Sequence, residues 1–204
     1  MKTKLFIDFD KTLFDTSKLK EQLVRIFSQF GFSQEEINQS YLASYLGGKY
    51  SPEGQTQLLN NIRAFNLEVA GLKIKSMLFD SSKLLYPDSV EFLDNINREK
   101  YEVDLLSYGD MEFNNRKVKH AGIADKFDNI YITNIEKQIY LKDFVKKEEN
   151  FIVIDDKIGI LEKISADYRN GFMIYINRDI DNISKNFHFK GTRVRNLKQA
   201  QQYL

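Results

Sequence analysis

Six polar side chains of this sequence come shortly after apolar runs of the kind that form buried strands. They comprise four carboxylates, one hydroxyl and one ammonium group: Asp8, Asp10, Asp155, Asp156, Ser107 and Lys137. Carboxylates that lie close together repel one another, so they need a cation to remain ionised. Ligand sets made only of oxygen favour Mg²⁺ over zinc or copper. A hydroxyl and a lysine beside such a cation can hold a phosphoryl group, and the set therefore indicates phosphoryl transfer.

Composition excludes several other kinds of chemistry. The 204-residue chain has no cysteine, which rules out disulfide scaffolds, zinc–thiolate sites, iron–sulfur clusters and thiol nucleophiles. Its two histidines, His120 and His188, are too few for a three-histidine metal site. We expect both to have structural or surface roles, with His120 near the C-terminus of a helix.

The apolar runs are expected to be strands of a parallel α/β sheet, because they alternate with segments of helical periodicity. The strands are predicted at residues 5–7, 103–106, 130–132, 151–154 and 172–176. The helices between the later strands are predicted at 87–98, 110–121, 135–147 and 158–168. Ligands of open α/β sheets bind at the carboxyl ends of the strands, so the six polar side chains should converge there.

Residues 16–83 show helical periodicity and no strand pattern. Four helices are predicted, at 16–30, 33–46, 52–65 and 68–79. Ser33 with Glu36 is typical of a capping box, and Ser51-Pro52 is typical of a helix start. We therefore expect an α/β core domain of residues 1–15 and 84–204, with an all-helical domain of residues 16–83 inserted after the first strand. Three tyrosines of this insertion are expected to pack its interior: Tyr41, Tyr45 and Tyr50.

The polar residues and their order resemble the motifs of the haloacid dehalogenase (HAD) superfamily. Its first motif is an apolar strand followed by Asp-x-Asp-x-Thr, and residues 5–13 are similar to it. The residues that resemble the four motifs in order are Asp8, Asp10 and Thr12; Ser107; Lys137; and Asp155 with Asp156. The helical insertion between the first two motifs is similar to the family's type-1 cap. The resemblance spans nearly the whole chain and implies a Rossmann-like, three-layer core.

The resemblance also implies a function and a role for each matching residue. The protein would be a Mg²⁺-dependent phosphatase that hydrolyses a small phosphorylated metabolite through an aspartyl-phosphate intermediate. Asp8 would be the nucleophile, and Asp10 would act as general acid and then as general base. The phosphoryl group would be bound by Thr12, Ser107, Tyr108 and Lys137. Mg²⁺ would be bound by Asp8, the main-chain carbonyl of Asp10 and either Asp156, which is favoured, or Asp155.

Several alternatives stay open at this point. Lys142 is the alternative to Lys137, because Gln138 stands where the family often has proline. The dehalogenase branch lacks the second aspartate of the first motif, so Asp10 favours phosphate chemistry over dehalogenation. A phosphomutase or phosphotransferase would use the same motifs. A receiver-like or non-catalytic phospho-binding protein is an alternative from another class, although a receiver carries its acidic pair after the first strand and here Asp155 and Asp156 follow the lysine.

Charge and hydropathy give expectations about partners and location. Lys and Arg number 30 and Asp and Glu 29, and a formal net charge of +1 gives no electrostatic case for a nucleic-acid partner. No segment approaches the roughly 20 apolar residues of a membrane helix, and Asp8 and Asp10 interrupt the first apolar run. We expect a cytoplasmic protein with a small phosphorylated substrate and no membrane partner, as a monomer or weak homodimer.

Overall fold

A parallel sheet of six strands is the central feature of the residues that the structure, a computed structural model, describes: 2–45, 49–178 and 189–204. Its strands are β1 (Thr3–Ile7), β2 (Tyr101–Tyr108), β3 (Asn129–Thr133), β4 (Phe151–Asp155), β5 (Gly171–Ile176) and β6 (Gly191–Val194). They are arranged β3-β2-β1-β4-β5-β6, and every neighbouring pair is parallel. The predicted parallel α/β sheet is therefore confirmed. β6 was not predicted, because this short edge strand contains no apolar run and only its last residue is buried.

Helices connect the strands and fill the segment between β1 and β2. In the described residues they are α1 (Thr16–Ser28), α2 (Gln34–Ser44), α3 (Pro52–Ile62), α4 (Leu67–Phe79), α5 (Ser89–Asp94), α6 (Met111–Ala121), α7 (Lys137–Tyr140), α8 (Ile158–Asp167) and α9 (Leu197–Ala200). Short 3₁₀ turns occur at Ser81–Leu84, Ala124–Lys126, Leu141–Asp143 and Gln201–Tyr203. Among these helices, none is both long and apolar enough to cross a membrane.

Two of the predicted helix starts are capped by side chains. Ser33 and Glu36 form the predicted capping box at the start of α2, and the Ser51 side chain accepts a hydrogen bond from the Gly54 N–H at the start of α3. By contrast, α5 and α7 are much shorter than the predicted helices 87–98 and 135–147, and neither has a side-chain hydrogen bond at its N-cap. The predicted end of the second helix, at residues 46–48, lies outside the described residues, as does His188.

Both faces of the sheet are buried. Phe6 of β1 packs on one face in a cluster with residues of β2, β4, β5 and α8: Leu106, Val153, Met173, Leu161 and Ile164. Leu5 and Ile7 alternate with Phe6, so they point to the opposite face, and both are fully buried. Of the other helices, α9 contacts β5, β6 and α5. The core is therefore the expected three-layer, Rossmann-like α/β arrangement.

The chain forms two compact units. The first contains the sheet and comprises Met1–Asp15, Leu85–Tyr108 and Ile123–Leu204. The second is helical and comprises Thr16–Leu84 and Gly109–Gly122. The domain division expected from the sequence differs from these units chiefly in the segment 109–122, which contains α6 and clusters with the inserted helices.

The helical unit has its own interior. Tyr50 donates its hydroxyl hydrogen bond to Gln55 Oε1 at 2.7 Å, and Gln55 Nε2 donates to the Ile37 carbonyl at 2.9 Å. The ring centroid of Tyr41 lies 4.8 Å from that of Tyr50 and 5.9 Å from that of Tyr45. Tyr50 is buried and Tyr41 half-buried, as expected, whereas Tyr45 is 43% exposed, so the expectation that it packs in the interior is wrong.

Candidate active site

The loop that follows β1 presents the first candidate residue at the centre of the sheet. β1 lies between β2 and β4, and Ile7 is paired with Leu105 on one side and Ile154 on the other. Asp8 comes next, and its N–H donates to the Ile154 carbonyl at 2.9 Å. The Asp8 carboxylate therefore lies at the carboxyl edge of the sheet, the usual position of ligand sites in this architecture.

The residues after Asp8 form a tight, hydrogen-bonded turn. The N–H groups of Leu13 and Phe14 both donate to the Phe9 carbonyl at 2.9 Å, and the Lys11 N–H donates to the Phe14 carbonyl at 2.7 Å. Lys11 has a φ of 62°, a left-handed conformation that costs energy for a residue with a side chain. We call residues 8–14 the β1 loop. It holds Asp10 partly exposed and Thr12 fully buried.

Lys137 joins two carboxylates from different strands. Its Nζ lies 2.5 Å from Asp8 Oδ1 and 2.6 Å from Asp155 Oδ2. Lys137 is only 2% exposed, so the ammonium group is held between the two carboxylates and away from water. The second oxygen of Asp155 accepts a hydrogen bond from the Lys157 N–H at 2.8 Å. Both Asp155 oxygens are therefore used within the protein.

The second oxygen of Asp8 is in a different position. Asp8 Oδ2 is buried and has no hydrogen-bond partner in the part of the chain that the structure describes. Carboxylate oxygens of Asp8, Asp155 and Asp156 lie within 4.8 Å of one another, a grouping that could hold a metal ion. A buried, unsatisfied carboxylate oxygen is costly, and such an atom calls for a ligand or a cation.

The pKa values of the clustered groups also favour a bound cation. Burial is the main cause that raises the pKa of Asp8 to about 6, and Asp155 adds to it while Lys137 opposes it. Burial, followed by the charges of Asp8 and Asp155, raises the pKa of Asp156 to about 8. The pKa of Lys137 is raised in spite of its burial, because Asp155 and Asp8 stabilise the ammonium form. The charges of Lys137 and Lys157 oppose the raised pKa values of Asp8 and Asp156 without cancelling them, and a bound cation would stabilise the ionised carboxylates further.

The remaining predicted residues lie on β2 or in the β1 loop. Ser107 is buried near the end of β2, where it is paired with Ile132, and Tyr108 is the last residue of that strand. Thr12 is fully buried, and its Oγ1 has no hydrogen-bond partner among the described residues. The side chain of Asp10 is not part of the three-carboxylate group. The structure thus brings Asp8, Lys137, Asp155 and Asp156 together.

The two candidate lysines are placed in different surroundings. Lys137 is the first residue of α7 and is buried between the carboxylates. Lys142 is exposed and lines a groove together with Lys2, Lys4 and Glu102. Geometry therefore favours Lys137 as the lysine of the site.

Two further contacts at the β1 loop were not predicted from the sequence. The guanidinium group of Arg178 donates to the Thr12 carbonyl, and the Ser89 hydroxyl donates to the Leu13 carbonyl at 2.7 Å. Both partners are distant in sequence and belong to no motif. No local pattern could have indicated them.

Comparison with known proteins identifies the family. The sequence model of the haloacid dehalogenase-like hydrolases matches residues 5–158, about three quarters of the chain. The chain belongs to this family. Among curated protein sequences, none matches this HAD-like hydrolase significantly.

Solved structures share its fold over the whole chain. A haloacid dehalogenase-like hydrolase from Burkholderia xenovorans LB400 is 18% identical with a TM-score of 0.76, over 99% of both chains. The HAD-hydrolase YfnB from Bacillus subtilis, in a structure bound to magnesium, is 13% identical with a TM-score of 0.69, over 99% of this chain and 98% of that one. L-2-haloacid dehalogenase from Xanthobacter autotrophicus is 13% identical with a TM-score of 0.66, over the same shares. At these identities the likeness establishes the fold alone.

Proposed function

We propose that this HAD-like hydrolase is a Mg²⁺-dependent phosphatase that hydrolyses a small phosphorylated metabolite, with Asp8 as the nucleophile. The observation that carries the proposal is the state of the Asp8 carboxylate. One oxygen contacts Lys137 Nζ at 2.5 Å, and the other is buried without a partner among the described residues. That second oxygen is available to a cation or to an incoming phosphoryl group.

The residues present fit a magnesium ion. The donor set consists only of carboxylate oxygens, and one of them is orphaned and buried. We propose that Asp8 and Asp156 bind the ion with the main-chain carbonyl of Asp10, while Asp155 acts indirectly, because both of its oxygens are already hydrogen-bonded. Bound Mg²⁺ would neutralise the carboxylates and polarise the phosphoryl oxygens. The magnesium of YfnB is consistent with this assignment.

The proposed reaction has two displacements at phosphorus. In the first, a carboxylate oxygen of Asp8 forms a bond to phosphorus, the bond to the ester oxygen breaks, and Asp10 donates a proton to that leaving oxygen. In the second, Asp10 takes a proton from water, whose oxygen attacks phosphorus and releases phosphate from Asp8. Ser107 and Lys137 would hold the phosphoryl oxygens, with Thr12 and Tyr108 lining the same region.

Two parts of the proposal concern the rest of the protein. We propose that the helical unit acts as a type-1 cap, since its main segment is inserted between the first and second motifs. A cytoplasmic location and a monomeric or weakly dimeric state also stay as predictions.

Asp10 separates the phosphatase from a dehalogenase on the same fold. Displacement of a halide needs no proton donor for the leaving group, whereas displacement of an ester oxygen does. The decisive experiment incubates the protein with a panel of phosphate monoesters and a panel of 2-haloalkanoic acids, with MgCl₂ or with EDTA, and measures phosphate and halide release. We expect phosphate release that requires Mg²⁺ and is lost in Asp10→Asn.

The opposite results would overturn the proposal. Halide release without phosphate release would make the protein a dehalogenase. Phosphate release that is insensitive to EDTA would remove the metal from the reaction. Transfer of the phosphoryl group to an added alcohol in preference to water would indicate a phosphotransferase.

A further inference from the structure

We propose that Arg178 is a positioning residue for the β1 loop, holding the peptide that links Thr12 to Leu13 so that Asp8 and Asp10 keep their relative orientation. The proposal deepens the proposed phosphatase function and rests on it for its kinetic consequences. Arg178 lies beyond residues 5–158, the part of the chain that matches the family model, so family membership does not supply this assignment.

The guanidinium group binds a single main-chain oxygen with two of its nitrogens. Arg178 Nη2 donates to the Thr12 carbonyl at 2.7 Å, and Nε donates to the same oxygen at 3.2 Å. The side chain of Arg178 is only 13% exposed, so these charge-assisted bonds are largely shielded from water. Arg178 and Thr12 are 166 residues apart, and the contact therefore connects the segment after β5 with the loop after β1.

The Thr12–Leu13 peptide connects Arg178 to Phe9, the residue between Asp8 and Asp10, through hydrogen bonds at both of its ends. Its carbonyl accepts from Arg178, and its N–H, which belongs to Leu13, donates to the Phe9 carbonyl at 2.9 Å. The Phe9 carbonyl belongs to the peptide that joins Phe9 to Asp10. A cation bound to the carbonyl end of a peptide polarises the peptide and strengthens the hydrogen bond made by its N–H. Loss of the guanidinium group would let this peptide rotate and loosen the position of Asp10.

Arg178 is itself fixed on two further sides. Its Nη2 and Nη1 contact Asp88 Oδ1 at 3.0 Å and Oδ2 at 3.3 Å, and Asp88 Oδ2 also accepts from the Leu197 N–H at 2.8 Å. The guanidinium carbon lies 3.7 Å from the ring centroid of Tyr86, a cation–π distance. The Tyr86 N–H donates to the Leu13 carbonyl at 2.9 Å, next to the carbonyl that Arg178 holds.

This arrangement needs a planar fork of donors. Three nitrogens of Arg178 share the contacts to Thr12 and Asp88, and the flat face of the group stacks on Tyr86. A lysine has a single nitrogen and no planar face, so it could make some of these hydrogen bonds but not all of them. It should therefore restore part of the function of Arg178 and not all of it.

The sheet unit contains a matched arginine that has no contact with the β1 loop. Arg98 Nη1 contacts Asp128 Oδ2 at 3.2 Å, Nη2 donates to the Lys126 carbonyl, and Asp128 Oδ2 also accepts from the Val103 N–H at 2.7 Å. Before the start of β2, Arg98 thus contacts a carboxylate and a main-chain carbonyl, as Arg178 does, and its side chain is 38% exposed. Substitution of Arg98 controls for the general cost of losing a buried or half-buried arginine clamp.

The experiment compares Arg178→Met, Arg178→Lys and Arg98→Met in the full-length chain. The measurements are kcat and KM for p-nitrophenyl phosphate with MgCl₂, the Tm, and hydrogen–deuterium exchange of peptides that cover residues 9–14. We expect Arg178→Met to lower kcat by about 10- to 100-fold, the size of effect that a small misplacement of reacting groups produces. KM should change much less, Arg178→Lys should recover part of kcat, and the amides of Leu13 and Phe14 should exchange faster.

Arg98→Met is expected to keep kcat and the exchange of residues 9–14 at wild-type values. A kcat that falls equally in Arg178→Met and Arg98→Met, in step with Tm, would overturn the proposal and leave Arg178 a general stabilising residue. Unchanged exchange at Leu13 and Phe14 in Arg178→Met would overturn it as well. If the wild-type protein releases no phosphate from any monoester, the proposed function fails, and the exchange experiment still decides whether Arg178 restrains the loop.

Discussion

Two buried carboxylates of the sheet unit, Asp8 and Asp104, have different partners. Asp104 lies within β2 and is 1% exposed, and Asp8 follows β1 and is 7% exposed. Burial is the main cause that raises the pKa of each. Asp104 accepts a hydrogen bond from the neutral side-chain amide of Asn129 at 2.9 Å. Asp8 instead faces an ammonium group on one oxygen and has no partner among the described residues on the other.

The comparison shows that burial and a raised pKa do not by themselves mark a site. Asp8 differs from Asp104 in having two other carboxylates beside it, since oxygens of Asp155 and Asp156, at the end of another strand, lie within 4.8 Å of its own. Cavity size is an equally poor guide. The groove that contains Lys142 and Glu102 has a volume of about 1210 Å³, yet it is lined by lysines and acidic residues in equal number and receives none of the converging carboxylates.

The largest expected effect is on kcat, which should fall when Asp8 is replaced and not when Asp104 is. Asp8→Asn should lower kcat for phosphate release by about 10⁴-fold or more, because loss of a nucleophile removes the covalent route. Asp104→Asn should keep kcat within a few-fold, because an asparagine amide can still pair with Asn129. Steady-state assays on the best monoester measure both. Equal losses in the two variants would contradict the distinction between the two regions.

The next effect concerns the contribution of Lys137, the ammonium group between Asp8 and Asp155, to the stability of the protein. Lys137→Met should reduce the free energy of unfolding by about 3–5 kcal/mol at neutral pH, because it leaves two buried carboxylates without their partner. The loss should shrink at acidic pH, where the carboxylates bind protons. Lys163→Met is the control, since the Lys163–Glu136 pair is more than half exposed and its loss should change stability little. Urea unfolding at pH 5 and pH 8 measures the four values.

A smaller effect tests Asp104 itself through the pH dependence of stability. Its pKa is raised in the folded state, so between the unfolded and folded pKa values the native state binds more protons than the unfolded state. The contribution of Asp104 to the free energy of unfolding therefore falls as the pH rises from its unfolded to its folded pKa. The unfolding free energy of Asp104→Asn minus that of the wild type should increase from pH 4 towards neutral pH. A difference that stays constant with pH would contradict the raised pKa.

The smallest effect is expected at the alternative lysine. Lys142→Ala should leave kcat within about twofold and the free energy of unfolding within about 0.5 kcal/mol, as is usual for exposed positions. The same assays used for Lys137→Met measure it. A loss of activity comparable to that of Lys137→Met would move the role to Lys142.

The elements that carry apolar runs were predictable from the sequence, and those defined by distant partners were not. The five strands with apolar runs were found close to their predicted positions because their periodicity is local. β6 depends on pairing with β5, as in Met173 with Gly191, and its own residues show little preference for a strand. Likewise, α6 clusters with the inserted helices, a packing choice that its amphipathic pattern does not encode.

The same reasoning applies to the site. Asp8, Lys137, Asp155 and Asp156 could be selected because each follows a strand, and parallel strands place their ends at one edge. The sequence left open whether Asp155 or Asp156 binds the metal, and the hydrogen bonds from Lys137 and the Lys157 N–H to Asp155 support the proposal that Asp156 does. Arg178 could not be found from the sequence, because a hydrogen bond to the Thr12 main chain carries no side-chain signature.

The central position of β1 has a consequence for how the enzyme is made. β1 is synthesised before its neighbour β4, which begins at Phe151, the residue that pairs with Lys4. Such long-range parallel pairing forms late, because the chain between the partners must first be closed into a loop. The candidate nucleophile therefore cannot meet Lys137, Asp155 and Asp156 until synthesis has passed Asp156. A nascent chain that ends before Asp156 lacks the candidate site.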